Sequence, residues 1–308
     1  MVKLRHCVLM ATVVGSLVLS ATRAQAYVRA VTENGVPTWW RNPCITMQLY
    51  LGENPLPPTM TSDQYFNAAR LAGRAWSYPA LTCTDLSITI QKESQASAEV
   101  GLDLKNVIVF RQDAWCENSD ASEGPCYPAN ALAVTTVFKS TTTGEIVDAD
   151  IELNAVSISW ADLVADPALA ENSNTADLRN TLTHELGHVI GLAHPCYSSN
   201  DGTAVLDDNT GYPEPDCSSP NLPLSVTEAT MYPVVPMSDT QRRSLSPDDE
   251  QAVCDVYPYT FATCPSGSAQ GCAVVAPSKD RPSRNWSLGL VAGMASLLLA
   301  FAFRRSRL

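Results

Sequence analysis

Three histidines and a glutamate have a spacing that suits metal-dependent chemistry. They lie in the stretch Thr183-His-Glu-Leu-Gly-His-Val-Ile-Gly-Leu-Ala-His194. On a helix, His184 and His188 are one turn apart on the same side, so both imidazoles can reach one ion. Gly191 lets the backbone turn sharply, and His194 then supplies a third nitrogen. Three protein ligands leave the fourth tetrahedral position of a zinc ion open, as in a catalytic rather than a structural site.

Glu185 follows the first histidine and can take a proton from water without occupying a coordination position. The pattern His-Glu-x-x-His occurs by chance in helices, whereas the full three-histidine spacing is much more specific. Of the four histidines in the chain, His6 lies near the N-terminus and the other three lie in this stretch. This distribution disfavours three ordinary helix histidines. The alternative from another functional class is a non-catalytic module stabilised by zinc, which predicts a fourth protein ligand or the loss of Glu185.

The pattern resembles the metzincin zinc metallopeptidases, whose second signature is a methionine turn beneath the metal. Ala229-Thr-Met-Tyr-Pro233 matches that turn, with Met231 as the turn residue; taken alone, Met231 would be interpreted as a core methionine. The Met-Tyr-Pro form is similar to the matrixin branch, which includes the matrix metalloproteinases, and residues 148–154 and 245–249 also resemble matrixin segments. The resemblance implies one catalytic Zn²⁺ on the three histidines, the adjacent glutamate as general base, and protein or peptide substrates.

The sequence also departs from the matrixin pattern. No histidines remain for the family's additional structural zinc, and we expect no pro-segment with a zinc-blocking cysteine. His194 and Met231 are 37 positions apart, longer than is usual, so the intervening loop is remodelled. Val234 and Val235 stand where many matrixins carry a tyrosine, so the side-chain preference of the family cannot be carried over. A tyrosine two residues after the methionine would indicate another metzincin branch, but that position is Pro233.

The rest of the sequence predicts one α/β (α+β) domain over residues 27–264. Period-two or β-rich runs indicate strands at 45–51, 86–90, 106–110, 132–138 and 146–153. Helices are predicted at 62–76, capped by Ser62 or Asp63 with Phe66, Ala69, Leu71 and Ala72 on one face, at 177–190, and from Ser246. The family resemblance implies a twisted, mostly parallel five-stranded sheet with one antiparallel edge strand, three helices and the zinc in a cleft.

Cysteine spacing predicts disulfides. The chain has ten cysteines; Cys7 lies in the N-terminal segment, and eight of the others form close pairs, Cys44/Cys83, Cys116/Cys126, Cys196/Cys217 and Cys254/Cys264. None has the CxxC spacing of a metal site. We expect up to four disulfides and an oxidising compartment, although spacing does not prove connectivity. Residues 195–230 form a predicted long loop that the pair Cys196/Cys217 would close.

The charge distribution argues against nucleic-acid binding. Of 32 acidic and 20 basic residues, 31 acidic but 11 basic ones lie outside the terminal segments, so the middle of the chain carries a charge near −20. A surface this negative repels nucleic acid. Asp201, Asp207 and Asp208 lie close together in a glycine-containing loop and could bind Ca²⁺. A solvated acidic loop is the preferred interpretation of that cluster.

Both ends of the chain have the composition of targeting segments. Residues 1–26 combine basic residues, an apolar run and Ala24-Gln25-Ala26, which predicts a cleaved signal peptide rather than a transmembrane helix. Residues 286–303 predict a transmembrane helix ~27 Å long, and residues 304–308 a basic tail. The linker 265–285 contains Cys272 and, with the segments after it, resembles the myxobacterial-type C-terminal sorting tag. That resemblance implies processing or lipidation at Cys272 of an exported, initially membrane-anchored protein; a plain membrane anchor is the alternative.

Overall fold

The computed structural model describes residues 27–52, 56, 58–94, 98–116, 126–198, 213–234, 236–260, 264 and 303–307. In this part of the chain the strands are β1 (Val28–Arg29), β2 (Cys44–Tyr50), β3 (Ser87–Lys92), β4 (Val107–Arg111), β5 (Ala133–Ser140), β6 (Ile146–Asn154), β7 (Ser159–Ala161), β8 (Thr175–Asp177), β9 (Leu192–Ala193) and β10 (Phe303–Arg307). The α-helices are α1 (Ser62–Ala75), α2 (Leu178–Val189), α3 (Leu224–Thr227) and α4 (Pro247–Val256), and 3₁₀ turns cover Pro167–Glu171 and Gln241–Arg243.

The main sheet has the strand order β10-β5-β6-β4-β2-β3. Strands β3, β2, β4 and β6 are parallel to one another, and β5 is antiparallel to β6. The five predicted strands and the three predicted helices are therefore present, in a mixed and mostly parallel architecture. Two-stranded sheets β1–β9 and β7–β8 lie beside the main sheet, and their strands are too short to give a periodic signal in the sequence.

The main sheet has six strands and not the predicted five, and the predicted antiparallel strand, β5, does not lie at its edge. A sixth strand, β10, pairs antiparallel with β5 from Phe303↔Ser140 to Arg307↔Thr136, so the edge position belongs to β10. The pairing supplies main-chain partners to a strand that would otherwise present unpaired N–H and C=O groups. Strand β10 contains Phe303, the last residue of the predicted transmembrane helix, and residues 304–307 of the predicted basic tail.

The predicted signal peptide (1–26), the linker (265–285) and the rest of the predicted transmembrane helix (286–302) lie outside the described residues. Among the described residues, no helix has the length and apolarity to cross a bilayer.

The N-cap of helix α1 lies one residue before the earlier of the two predicted caps, Ser62. This N-cap is Thr61, whose hydroxyl accepts a hydrogen bond from the backbone N–H of Gln64 at 3.3 Å, while the Gln64 side chain accepts the Thr61 N–H at 2.7 Å. This reciprocal pair is a capping box. Asp63 instead pairs with Lys92 on β3, at 2.9 Å. The face turned to the core is also shifted from the prediction and consists of Tyr65, Ala68, Ala69, Ala72 and Gly73.

Helices α1 and α2 pack against each other and on the sheet, and this packing fixes the helix that carries the metal motif. The largest fully buried side chains include Trp76, Trp160, Met47, Ile151 and Leu186. Burial of each such apolar side chain contributes roughly 1.5–3 kcal/mol to the free energy of unfolding. Trp76 also donates its indole N–H to the Thr183 carbonyl of α2, at 2.8 Å.

All eight predicted cysteines form disulfides, and two of the four predicted pairs, Cys116–Cys126 and Cys196–Cys217, are confirmed. The pairs Cys44/Cys83 and Cys254/Cys264 were wrong, because the structure joins Cys44 to Cys264 and Cys83 to Cys254. The chain after α4 runs back past the start of β2 and β3, where the Tyr259 N–H donates to the Cys83 carbonyl at 2.8 Å. Cys44 and Cys83, from the start of the domain, are therefore each bonded to a cysteine near its end.

Candidate metal centre

The start and the end of helix α2 are both held by buried hydrogen bonds. The N-cap Asp177 accepts the Asn180 N–H at 2.8 Å and pairs with Arg243 of the following 3₁₀ turn. At the other end, Trp40 donates to the Val189 carbonyl at 2.7 Å and Tyr257 donates to the Ile190 carbonyl at 2.8 Å. Carbonyls in the last turn of a helix have no partner within it, so these bonds satisfy groups that would otherwise be buried unpaired.

Gly191 ends the helix and redirects the chain. Its φ of 90° lies in the left-handed region, where a side chain would be strained, as the sequence predicted. The chain then forms β9, which pairs with β1 through Val28↔Ala193. The pairing places His194 back beside the helix. The part played by β1 was not predicted, because a two-residue strand leaves no pattern in the sequence.

The three predicted histidines converge on one point. The Nε2 atom of His194 lies 3.2 Å from Nε2 of His184 and 3.1 Å from Nε2 of His188. Three nitrogens at ~2.0–2.1 Å from one tetrahedral zinc ion would be about 3.3 Å apart. The spacing of the three nitrogens therefore fits a single ion of this size, and the group could hold a metal.

Backbone carbonyls orient two of the rings. His184 Nδ1 lies 2.8 Å from the Thr230 carbonyl, and His188 Nδ1 lies 2.9 Å from the Leu192 carbonyl. A carbonyl only accepts, so each Nδ1 carries the proton and each Nε2 presents its lone pair to the common point.

Burial keeps the histidines uncharged. It lowers the pKa of His184 to about 3, with His188 adding to the effect, and the pKa of His188 to about 4. Burial, and then the two neighbouring rings, lower the pKa of His194 well below its usual value. Neutral imidazoles are the form that binds metal ions, so the set is ready to coordinate at neutral pH.

Glu185 is buried in the wall of the cleft next to these nitrogens. The Thr135 hydroxyl, on β5, donates a hydrogen bond to Glu185 Oε2 at 2.6 Å. Burial raises the pKa of Glu185 to about 7, while the bond from Thr135 acts in the opposite direction. The carboxylate is thus fixed from the sheet side without being one of the converging ligand atoms.

The turn carrying Met231 lies under α2 and is anchored from α4. Asp249 Oδ2 accepts the Thr230 N–H at 2.6 Å and the Ser246 hydroxyl at 2.6 Å. The Thr230 carbonyl receives His184 Nδ1, so one residue links α4 to a candidate metal ligand. Sequence reasoning interpreted the run starting at Ser246 only as a helix start. The role of Asp249 was not predicted; its place as an acidic third residue of the helix is the feature of the sequence that could have indicated it.

A cleft of about 890 Å³ opens over the three histidines and Glu185. On one side it is lined by residues 128–133, which lead into β5, and on the other by Tyr232, Pro233, Val234, Met237 and Arg242. A cavity of this size accommodates several residues of an extended peptide. The calcium candidates Asp201, Asp207 and Asp208, and the processing candidate Cys272, lie outside the described residues.

Comparisons with known proteins add little. No protein-family profile matches the chain, and no functionally curated protein matches it. One similar solved structure, described as the GM1 bound form of the ECX AB5 holotoxin, aligns over 76% of this chain and 89% of its own, at 15% identity and a TM-score of 0.36. A similarity of this size carries no argument about fold or function.

Proposed function

We propose that the protein is a zinc-dependent endopeptidase resembling the matrixin-like branch of the metzincins. The observation that carries this proposal is the convergence of three neutral imidazole nitrogens beside a buried carboxylate in an open cleft. Three ligands at this spacing suit a catalytic zinc site, and all three line the cleft. The four disulfides indicate an oxidising compartment, in keeping with an exported protein.

His184, His188 and His194 would hold the ion. When bound, zinc supplies Lewis-acid polarisation of the scissile carbonyl and lowers the pKa of water. The Thr230 and Leu192 carbonyls keep two of the rings in the ligating tautomer throughout. Because one carbonyl lies in a turn and the other in β9, both fixed by the fold, the orientation of these rings is set before substrate arrives.

Glu185 is the general base in this proposal. Its carboxylate takes the proton of the attacking water and passes it to the leaving amine, a role worth roughly 10²–10⁴-fold in rate. The Thr135 hydroxyl holds one carboxylate oxygen, which leaves the other for proton transfer. Thr135 therefore acts as a positioning residue for the base.

The substrate is a protein segment in extended conformation. Residues 128–133 line the cleft and continue into β5, whose pairing with β10 ends at Thr136. The part of β5 nearest Glu185 is therefore outside that ladder. An extended peptide lying along it would form main-chain contacts, which suit an enzyme acting on many sequences.

Chelation of the purified protein tests the proposal. A strong chelator should abolish cleavage of a denatured protein, and one equivalent of zinc per chain should restore it, with metal content followed by elemental analysis. Full activity in the metal-free state would contradict the proposal. One bound zinc without turnover of any unfolded protein would instead support a non-catalytic zinc-stabilised module.

A further inference from the structure

The lining of the cleft includes two buried polar side chains, which we call its polar floor. Arg242 and Asn180 line the cavity that also holds the candidate ligands, and they are 8% and 5% exposed. The surrounding walls are apolar or aromatic and are formed by Tyr232, Pro233, Val234 and Met237. A substrate side chain in this cavity would therefore have both apolar and polar groups around it.

The hydrogen bonds among Arg242, Asn180 and Asp239 leave the guanidinium with donors that have no acceptor. Asp239 Oδ2 accepts from Arg242 Nη1 at 2.5 Å and from Asn180 Nδ2 at 3.2 Å, and Asp239 Oδ1 accepts the Gln241 N–H at 3.3 Å. Asn180 Oδ1 accepts the backbone N–H of Arg242 at 2.6 Å. Both oxygens of the aspartate and the amide oxygen are thus in use. Arg242 Nε, by contrast, is buried without an acceptor, and Arg242 Nη2 forms no hydrogen bond among the described residues.

The guanidinium is also held in place. Its Cζ lies 5.8 Å from the centroid of the Tyr232 ring, in a cation–π arrangement, and the ion pair with Asp239 fixes one edge. Nη2 is not one of the fully buried atoms, so a ligand in the cleft can bring an acceptor to it. A guanidinium held by two contacts does not need to reorganise to receive it.

We propose that Arg242 is a specificity-determining residue, which makes this pocket select a substrate side chain ending in a hydrogen-bond acceptor. Glutamine and glutamate fit this description, and an apolar side chain of equal length, such as methionine, does not. The inference rests on the proposed peptidase function, because the pocket adjoins the candidate metal ligands. Since Asp239 balances the charge of Arg242, the selection is for an acceptor oxygen, whether amide or carboxylate.

Binding measurements test this without depending on turnover. The probes are N-acylated dipeptide hydroxamates, anchored at the metal, that differ in one side chain: glutamine, glutamate, methionine or leucine. Calorimetry on the zinc-loaded full chain should show glutamine and glutamate bound at least about tenfold more tightly than methionine, as for a hydrogen bond to a charged donor. Arg242→Met should reduce this ratio to about twofold or less. Arg70→Met, at an exposed arginine on α1, is the matched control and should leave the ratio unchanged.

A second variant keeps the test informative if Arg242→Met does not fold. Asp239→Asn removes the balancing charge and should favour glutamate over glutamine by about fivefold or more. Equal binding of glutamine and methionine probes to the wild type would overturn the inference. Cleavage of denatured protein, measured in parallel, separates the two proposals. Turnover without a side-chain preference would overturn only the role of Arg242. A side-chain preference without turnover would overturn only the peptidase function.

Discussion

The thioether of Met231 occupies the space left by the missing side chain of Gly187. A Cβ at Gly187 would overlap Met231 Sδ and would lie 3.0 Å from both Met231 Cε and Trp76 Cζ2. Gly187 immediately precedes the candidate ligand His188 on α2. The close approach therefore places α2, which carries the candidate metal ligands, directly on the turn at Met231, and the glycine within the histidine motif has a packing role.

Gly187→Ala should consequently disturb the metal centre. Overpacking a buried site of this kind lowers the free energy of unfolding by about 1–3 kcal/mol, and the displaced helix should bind zinc less tightly. Met231→Ala in the same background should recover part of the loss, since it removes the sulfur that the new methyl group meets. A double-mutant cycle by chemical denaturation, with zinc titration of each variant, measures this coupling. Additive effects of the two substitutions would contradict the proposed contact.

Glu185→Gln should separate metal binding from catalysis. The side chain keeps its size and its place beside Thr135 but cannot take a proton, so the variant should retain about one zinc per chain and lose at least about 100-fold in kcat. Elemental analysis and peptide hydrolysis check the two quantities. Loss of zinc would show Glu185 to be a ligand, and near wild-type turnover would remove it from the mechanism.

Thr135→Val tests the positioning of the same base and should have a smaller effect on the rate. It removes the hydroxyl that holds Glu185 Oε2 while keeping the shape of the side chain. We expect a normal zinc content and a decrease in kcat of about tenfold, because the base is less well positioned. The pH profile of kcat should change together with the rate if Thr135 acts through Glu185. A purely structural role would lower stability and leave the profile unchanged.

A buried carboxyl on β6 gives a prediction about pH and stability. Burial raises the pKa of Asp150 to about 8, with Asp148 adding to the shift, and N–H groups of Gly101 and Val107 oppose it. The unfolded chain loses this proton near pH ~3.9, so above that pH the folded state binds more protons. The contribution is therefore fully present below about pH 4 and is lost as the pH rises through about 8.

Asp150→Asn should remove that dependence. Urea denaturation from about pH 5 to about pH 9 should give a flatter stability curve for the variant than for the wild type, even if the absolute stability falls because one acceptor oxygen is replaced. Asp113→Asn, at an exposed aspartate, is the control and should follow the wild-type slope. Parallel curves for Asp150→Asn and the wild type would contradict the assignment.

Mass mapping without reduction tests the cysteine connectivity. Proteolysis should release a peptide pair containing Cys44 and Cys264 and another containing Cys83 and Cys254. Replacing Cys83 and Cys254 together with serine should lower the free energy of unfolding by about 4 kcal/mol, since the bridge closes a very long loop. A peptide that joins Cys44 to Cys83 would instead support the pairing suggested by sequence proximity.

Local patterns made part of the structure predictable. The histidine spacing identified a group of side chains that converge in space, because one helix and one glycine turn determine most of their geometry. Contacts between distant segments left no such signal. The bond from Thr135 to Glu185 joins β5 to α2, and Asp249 reaches from α4 to the turn at Thr230. Such contacts depend on the tertiary packing, and the same holds for the exchanged disulfides.

The two long disulfides also affect how the protein would tolerate a cut in its own chain. Cys44–Cys264 and Cys83–Cys254 join the start of the domain to its end, and Cys196–Cys217 closes the loop between them. A single break between Cys83 and Cys254 therefore leaves both fragments covalently attached. If the protein is the peptidase proposed above and cleaves its own loop, the product would be a nicked molecule that stays in one piece until it is reduced.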